Sequence, residues 1–176
     1  MRLNLREVTL DDGKTIIKWR NSDEIRKHCF SKKVITEQDN AVFFEQNVLT
    51  GKYKQFIVEK INEDFGLIAY PIACISLKDF DTENARCELC VFTSDDVEWN
   101  DQNQYPAIKM ILEKAFGEYG MHKVYSYVFA DCLNEVRLLG TAGFKIEALL
   151  KQEAKDLAGN YVDIYRMAVL KDEWEK

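Results

Sequence analysis

Glu88 sits in a β-rich stretch, Ala85 to Thr93, and a strand carboxylate that becomes partly buried has its pKa pushed toward neutrality. That makes it a candidate general base, acting directly or through water, and its plainer reading is a surface glutamate paired with Arg86 or another neighbour. The same stretch spells Cys87-Glu88-Leu89-Cys90, a CxxC pattern that elsewhere holds a metal or a redox disulfide. In a strand, residues three apart point to opposite faces, and no second Cys/His pair accompanies these two. They read as structural thiols, and no metal site is expected. His28, which follows Arg26-Lys27, is either an acid/base group or a solvated helix residue.

Beyond Glu88 the chain reads Glu98-Trp99-Asn100-Asp101-Gln102-Asn103-Gln104-Tyr105-Pro106, and an amphipathic helix is expected to open at Ala107. A helix N-terminus presents unpaired N–H groups and a partial positive charge, so the architecture suggests a phosphate-bearing ligand. The turn itself has no glycine to let backbone approach a pyrophosphate closely. Nor is there any Lys or Arg between Cys87 and Ile108, while Asp95, Asp96, Glu98 and Asp101 are acidic. A carboxylate about 8 Å from a phosphate charge costs about 1 kcal/mol at an effective dielectric of roughly 40. Lys109, or a basic residue brought in from elsewhere in the chain, would reverse that sign.

The elements that must position these groups follow from periodicity. Asp11-Asp12 caps a first helix running through Trp19, with Ile16 and Ile17 on its inner side, and Ser22 caps a short second one. Thr36-Glu37-Gln38-Asp39 resembles a capping box, followed at helical spacing by Ala41, Phe44 and Val48 until Gly51. From Tyr53 the period becomes strand-like: Tyr53 to Lys60, Leu67 to Leu77 and Ala85 to Thr93, with turns at Asn62-Glu63-Asp64 and Asp79 to Asn84, form an antiparallel meander. Ile108, Ile111, Leu112, Ala115 and Tyr119 then make one helical stripe stopped by Gly120. His122 to Phe129 is a strand, with Tyr125 and Tyr127 on one face, and Asn134 to Ala142 a helix. Phe144 to Ala154 and Tyr161 to Leu170 are a closing hairpin around Gly159-Asn160.

Composition sets the outer limits. The chain has 176 residues, 47% hydrophobic and 31% charged, which suits one globular domain over residues 1–176 with a sizeable core. No apolar run is long enough to span a bilayer, the N-terminus has no signal-peptide core, and five cysteines form an odd set, so a cytoplasmic protein with reduced thiols is expected. A net charge of −6 disfavours nucleic acid and weakly steers a cationic amine toward the surface.

The order of elements and several residues together resemble the GCN5-related N-acetyltransferase (GNAT) superfamily, and more narrowly its ribosomal-protein N-terminal acetyltransferase branch. The residues that carry this are Leu5-Arg6, Trp19-Arg20-Asn21, Glu88, Ala115-Phe116 and Gly143-Phe144. Toward the C-terminus, Gly159-Asn160-Tyr161-Val162-Asp163, Met167 and Glu173-Trp174 look like the ending of that branch. The resemblance covers nearly the whole chain and implies an α/β (α+β) fold with a mixed, mostly antiparallel sheet, flanked by helices and splayed after the strand ending near Thr93. It implies acetyl-CoA in the gap as cosubstrate, its pantetheine bonding backbone of Val91, Phe92 and Thr93.

The superfamily's pyrophosphate loop, Gln/Arg-x-x-Gly-x-Gly/Ala, falls on Trp99 to Gln104. Gln102 and Gln104 stand at its glycine positions, and Asn100, Asn103 and Tyr105 stand beside them. By the same resemblance Cys132 stands where Asn is usual, Glu135 where Ser is frequent, and Leu139 where a thiolate-protonating Tyr occurs in many members. Trp19, Asn21 and His28 are implied at the acceptor pocket, although Trp19 reads equally as a packing anchor. Tyr125 or Tyr127 reaches the cleft or packs in the core.

The activity implied is transfer of an acetyl group from acetyl-CoA to a primary amine: a small amine, an amino sugar or a peptide N-terminus. Two alternatives follow from the departures in the loop, a catalytically impaired binding module and a transferase using another acyl or nucleotide donor. Exposed strand edges in such folds suggest a homodimer.

Overall fold

The computed structural model describes residues 2–62, 68–92 and 94–174. The chain begins with strand β1 (Arg2–Glu7), a 3₁₀ turn (Leu10–Asp12), and helices α1 (Gly13–Asn21), α2 (Asp23–Arg26) and α3 (Glu37–Phe43). Strands β2 (Lys54–Asn62), β3 (Ile68–Asp81) and β4 (Arg86–Phe92) form the meander. After it come α4 (Asp101–Glu113), β5 (Lys123–Phe129), α5 (Leu133–Thr141), the hairpin β6 (Lys145–Lys155) and β7 (Tyr161–Leu170), and a short α6 (Lys171–Trp174). One seven-stranded sheet runs in the order β1-β2-β3-β4-β5-β7-β6, antiparallel throughout except where β4 meets β5. The mixed, helix-flanked sheet expected from the sequence is the one found.

Local chemistry accounts for most boundaries. Thr36 and Asp39 close a reciprocal capping box, with Asp39 N–H donating to Thr36 Oγ1 at 3.1 Å and Thr36 N–H donating to Asp39 Oδ2 at 2.9 Å. Gly159, at φ +88, turns the last hairpin, helped by Asn160 N–H donating to Asp156 Oδ1 at 2.8 Å. The stripe Ile108, Ile111, Leu112, Ala115 is fully buried against Ile72, Leu89, Val124 and Leu139, which makes α4 the axle of the main core.

Two boundaries differ from expectation. α4 opens at Asp101, not at Ala107, because Asn100 is an N-cap: its backbone is extended and its Oδ1 accepts the Gln102 N–H at 3.1 Å. Pro106 therefore lies inside the helix rather than ahead of it. Strand β3 runs on past Leu77 to Asp81, through an irregularity between Lys78 and Asp81 where Asp79 takes φ +51. Of the residues at the preceding turn, Glu63 and Asp64 lie outside the described residues, as does Leu67.

β1 and α1 are fastened to the sheet by charge. Arg6 donates to both Asp12 oxygens at 2.7 Å and, through Nε, to Glu59 at 2.6 Å, and both acids are largely buried. Among the described residues no helix is long and apolar enough to cross a membrane.

Candidate functional site

The sheet divides at one point. β4 and β5 pair in parallel only over Arg86↔Lys123, Cys87↔Val124 and Glu88↔Tyr125. Beyond Glu88, β4 stays with β3 as far as Phe92, and β5 stays with β7 as far as Phe129. The two halves thus separate between Leu89–Phe92 and Ser126–Phe129. Helices α4 and α5 cover one face of the division. Beside it lies a cavity of about 400 Å³ lined by Val91, Trp99, Gln104, Cys132, Glu135 and Leu138, with His28 closing one side.

Glu88 stands at the apex of the division, 6% exposed. Its carboxylate meets Lys78 Nζ at 3.2 Å and accepts from Cys90 Sγ at 3.4 Å. Burial raises its pKa above the usual carboxylate value, against the lowering effect of Lys78. It is neither surface-facing nor paired with Arg86, which binds Asp81 instead at 3.0 Å. Across the division Tyr125 is half-buried and its phenol is held protonated, first by burial and then by the Glu88 charge. Cys87 faces the core and Cys90 the Glu88 side, and burial pushes both thiols well up, so they are inert.

The residues expected to cradle a pyrophosphate are arranged differently from a loop. Gln102, Asn103, Gln104 and Tyr105 form the first turns of α4, and Asn100 spends its amide on the Gln102 N–H and the Val97 carbonyl. Asn103 and Gln104 donate back to the Glu98 and Trp99 carbonyls at 2.7 and 2.9 Å. Gln104, at one of the glycine positions, and its neighbour Asn103 thus brace the entering chain. The acid cluster is compensated from elsewhere: Lys60 of β2, nearly buried, binds Glu98, and Arg137 of α5 reaches Asp101 at 3.3 Å. Lys109 takes no part in these pairs.

Trp99, 6% exposed, lines the cavity with an indole N–H that is buried and has no hydrogen-bond partner among the described residues. A polar acceptor entering the cavity would satisfy it. Val91 also lines the cavity, Phe92 continues the β3 ladder opposite Cys74, and Thr93 lies outside the described residues. Cys132 caps α5 and its thiol is pushed up to about 11 by burial and by Glu135. Burial raises Glu135 to about 7.

Of the three residues expected at an acceptor pocket, only His28 reaches the cavity. It pairs with Asp131 at 3.4 Å and packs against Phe129, and burial holds its pKa below the usual value. Trp19 packs in the core, 3% exposed among Val8, Ile16, Ile57 and Cys74, as its packing-anchor reading has it. Asn21 uses both ends of its amide on the Ile35 backbone at 2.8 Å. Sequence reasoning missed Lys78, Lys60 and Arg166. Lys78 was hidden by the extension of β3, and the other two by pairings between distant strands and loops.

Comparison with known proteins places these observations. The sequence model of the acetyltransferase (GNAT) domain family matches residues 2–145. No curated protein matches. Among solved structures, the spermidine N-acetyltransferase of Vibrio cholerae in complex with CoA and spermine superposes with a TM-score of 0.88 at 20% identity, covering 99% of this chain and 98% of that one. A mutant of the same enzyme gives 0.81 at 21% identity, covering 98% and 95%. Its dodecameric form in an intermediate state gives 0.79 at 18%, also covering 98% and 95%. These matches overturn the narrower resemblance to ribosomal-protein N-terminal acetyltransferases. The residues that suggested that branch are explained by packing: Gly143 takes φ +96, Gly159 turns a hairpin, and Trp174 stacks on Phe116 at 5.3 Å.

Proposed function

We propose, from the premise that this chain belongs to the acetyltransferase (GNAT) domain family, that it moves an acetyl group from acetyl-CoA to the primary amine of a small molecule at the division beside Glu88. The observation that carries this reading is the parting of β4 from β5 immediately after Glu88, with a cavity alongside. Uncoupled strand backbone there suits the amide groups of pantetheine, and the unpartnered indole N–H of Trp99 suits a coenzyme oxygen. Val91, Gln104, Cys132 and Glu135 would line the coenzyme, with Phe92, Asn100, Gln102, Asn103 and Tyr105 around its entry. His28 would close the cavity on one side.

An acceptor arriving as an ammonium ion must lose a proton before it attacks the thioester carbonyl. Glu88, its pKa raised by burial, takes that proton directly or through water. The amine nitrogen then bonds to the carbonyl carbon, the carbon–sulfur bond breaks, and the coenzyme leaves as a thiolate. Tyr125, a protonated phenol on the opposite lip, supplies a proton to that thiolate, and the second proton, released by the acylated nitrogen, restores the phenol. Holding both reactants in one frame contributes much of the remaining acceleration.

We also infer a single domain over residues 1–176, a cytoplasmic location and self-association. Edge strand β6 exposes Ile146 and Leu149, and one similar enzyme is dodecameric. Calorimetry with acetyl-CoA, followed by a thiol-release assay over an amine panel, tests the activity. No heat change at high micromolar coenzyme would end this reading.

A further inference from the structure

The Glu88 face of the sheet continues across β5 as a ledge of rings. Tyr125 and Tyr127 lie 5.8 Å apart, and Phe30, from the segment after α2, stands 6.4 Å from Tyr127 and 5.6 Å from Phe129. Arg166 of β7, opposite Tyr127 in register, lays its guanidinium over Tyr125 at 4.5 Å and over Tyr127 at 5.8 Å. Lys32 Nζ sits over Phe129 at 4.5 Å. Two cations therefore cap a ledge that begins beside the catalytic carboxylate.

Arg166 is under-used. Its ion pair among the described residues is with Glu147, Nε to Oε2 at 3.6 Å, too long for a hydrogen bond, and Glu147 already holds Lys123 at 2.5 Å. The Arg166 Nε is buried and has no hydrogen-bond partner among the described residues. A guanidinium packed over the Tyr125 ring keeps its planar fork, the group that receives a carboxylate through two parallel bonds.

Spacing turns this into a substrate class. From Glu88 on β4 to Arg166 on β7 is two inter-strand steps and a two-residue offset along the strand, about 12 Å between backbones, and the lean of Arg166 over Tyr125 shortens it. We propose that the acceptor is an amino carboxylate whose amine lies at Glu88 and whose carboxylate is held by Arg166, and that polycationic amines are disfavoured by Arg166 and Lys32. This rests on the acetyl-transfer reading of the site. An extended ε-aminocaproate spans about 7–8 Å between its ends, within that reach.

The test compares ε-aminocaproate, 1-hexylamine, which has a methyl in place of the carboxylate, and spermidine in a thiol-release assay. The expected kcat/KM for ε-aminocaproate exceeds both others by at least about tenfold. Arg166→Met brings the ε-aminocaproate to hexylamine ratio toward one, and Arg166→Lys, which keeps charge without the fork, restores it in part. Preference for spermidine, or equal losses on all three amines in Arg166→Met, overturns the proposal. If no amine is acetylated, the activity itself fails, and calorimetric titration with ε-aminocaproate still decides the anchor. Binding to the unmodified protein that is lost in Arg166→Met upholds it, and no binding overturns it.

Discussion

Glu88 and Tyr125 form the last rung of the β4–β5 ladder, so their side chains leave the same face of the sheet at the place where its two halves part. That pairing puts a buried carboxylate with a raised pKa and a protonated phenol on opposite lips of one opening. The two groups proposed as proton acceptor and proton donor are thus brought together by backbone register. Neither relies on the glycine-less segment that opens α4.

Replacing Glu88 with Gln keeps the shape and removes the base. We expect kcat/KM to fall about 10²-fold or more and the acid limb of its pH profile to disappear. An unchanged profile in stopped-flow or thiol-release measurements would remove Glu88 from the proton path.

Lys78 tunes that base from 3.2 Å. Lys78→Met removes the charge that lowers Glu88 and leaves burial, which raises it, unopposed. The acid limb of kcat/KM should therefore move to higher pH. A limb that stays in place, or moves to lower pH, contradicts the assigned pair.

The elements that were legible in the sequence are those whose signals are local. Thr36 to Asp39 is a complete cap within four residues, Gly159-Asn160 turns a hairpin by itself, and the α4 stripe repeats at 3.6 residues. The start of α4 was misread because Pro106 competed with Asn100 as the opening signal, and only the extended backbone of Asn100 decides between them. The site was half legible. Glu88, Val91, Cys132 and Glu135 could be placed along the chain, whereas Lys60 at Glu98 and Arg166 over Tyr125 join residues tens of positions apart. Trp19 could be read either way, since an aromatic closing a helix looks the same in sequence whether it lines a pocket or a core.

Glu135 should make coenzyme binding depend on pH. Burial places its titration at about 7, so below that the carboxyl is neutral and can donate a hydrogen bond into the cavity, and above it a charge faces an anionic ligand. Calorimetric affinity for CoA should weaken as pH rises from about 6 to 8. Glu135→Gln should be tighter than the unmodified protein at the upper end and flatter across the range. Parallel pH curves for the two proteins would show that Glu135 does not face the ligand.

Arg6 tests the frame that holds the site, because it joins β1 both to Asp12 ahead of α1 and to Glu59 on β2. Truncating it to Ala leaves two largely buried carboxylates without their cation, a loss of about 3–5 kcal/mol for a buried pair. Arg6 is one-third exposed, so the expected cost lies nearer about 2–3 kcal/mol, and it should appear as a lower urea midpoint with an unchanged slope. The sign of the pH dependence follows from Asp12. Burial pulls its pKa up, but the bonds from Arg6 and Thr9 outweigh that and leave it below the ordinary value. Its contribution is therefore present above about pH 4 and lost as pH falls through the depressed folded value. The stability difference between Arg6→Ala and the unmodified protein should shrink on acidification over that window. A difference independent of pH would mean that Arg6 acts by packing rather than by charge.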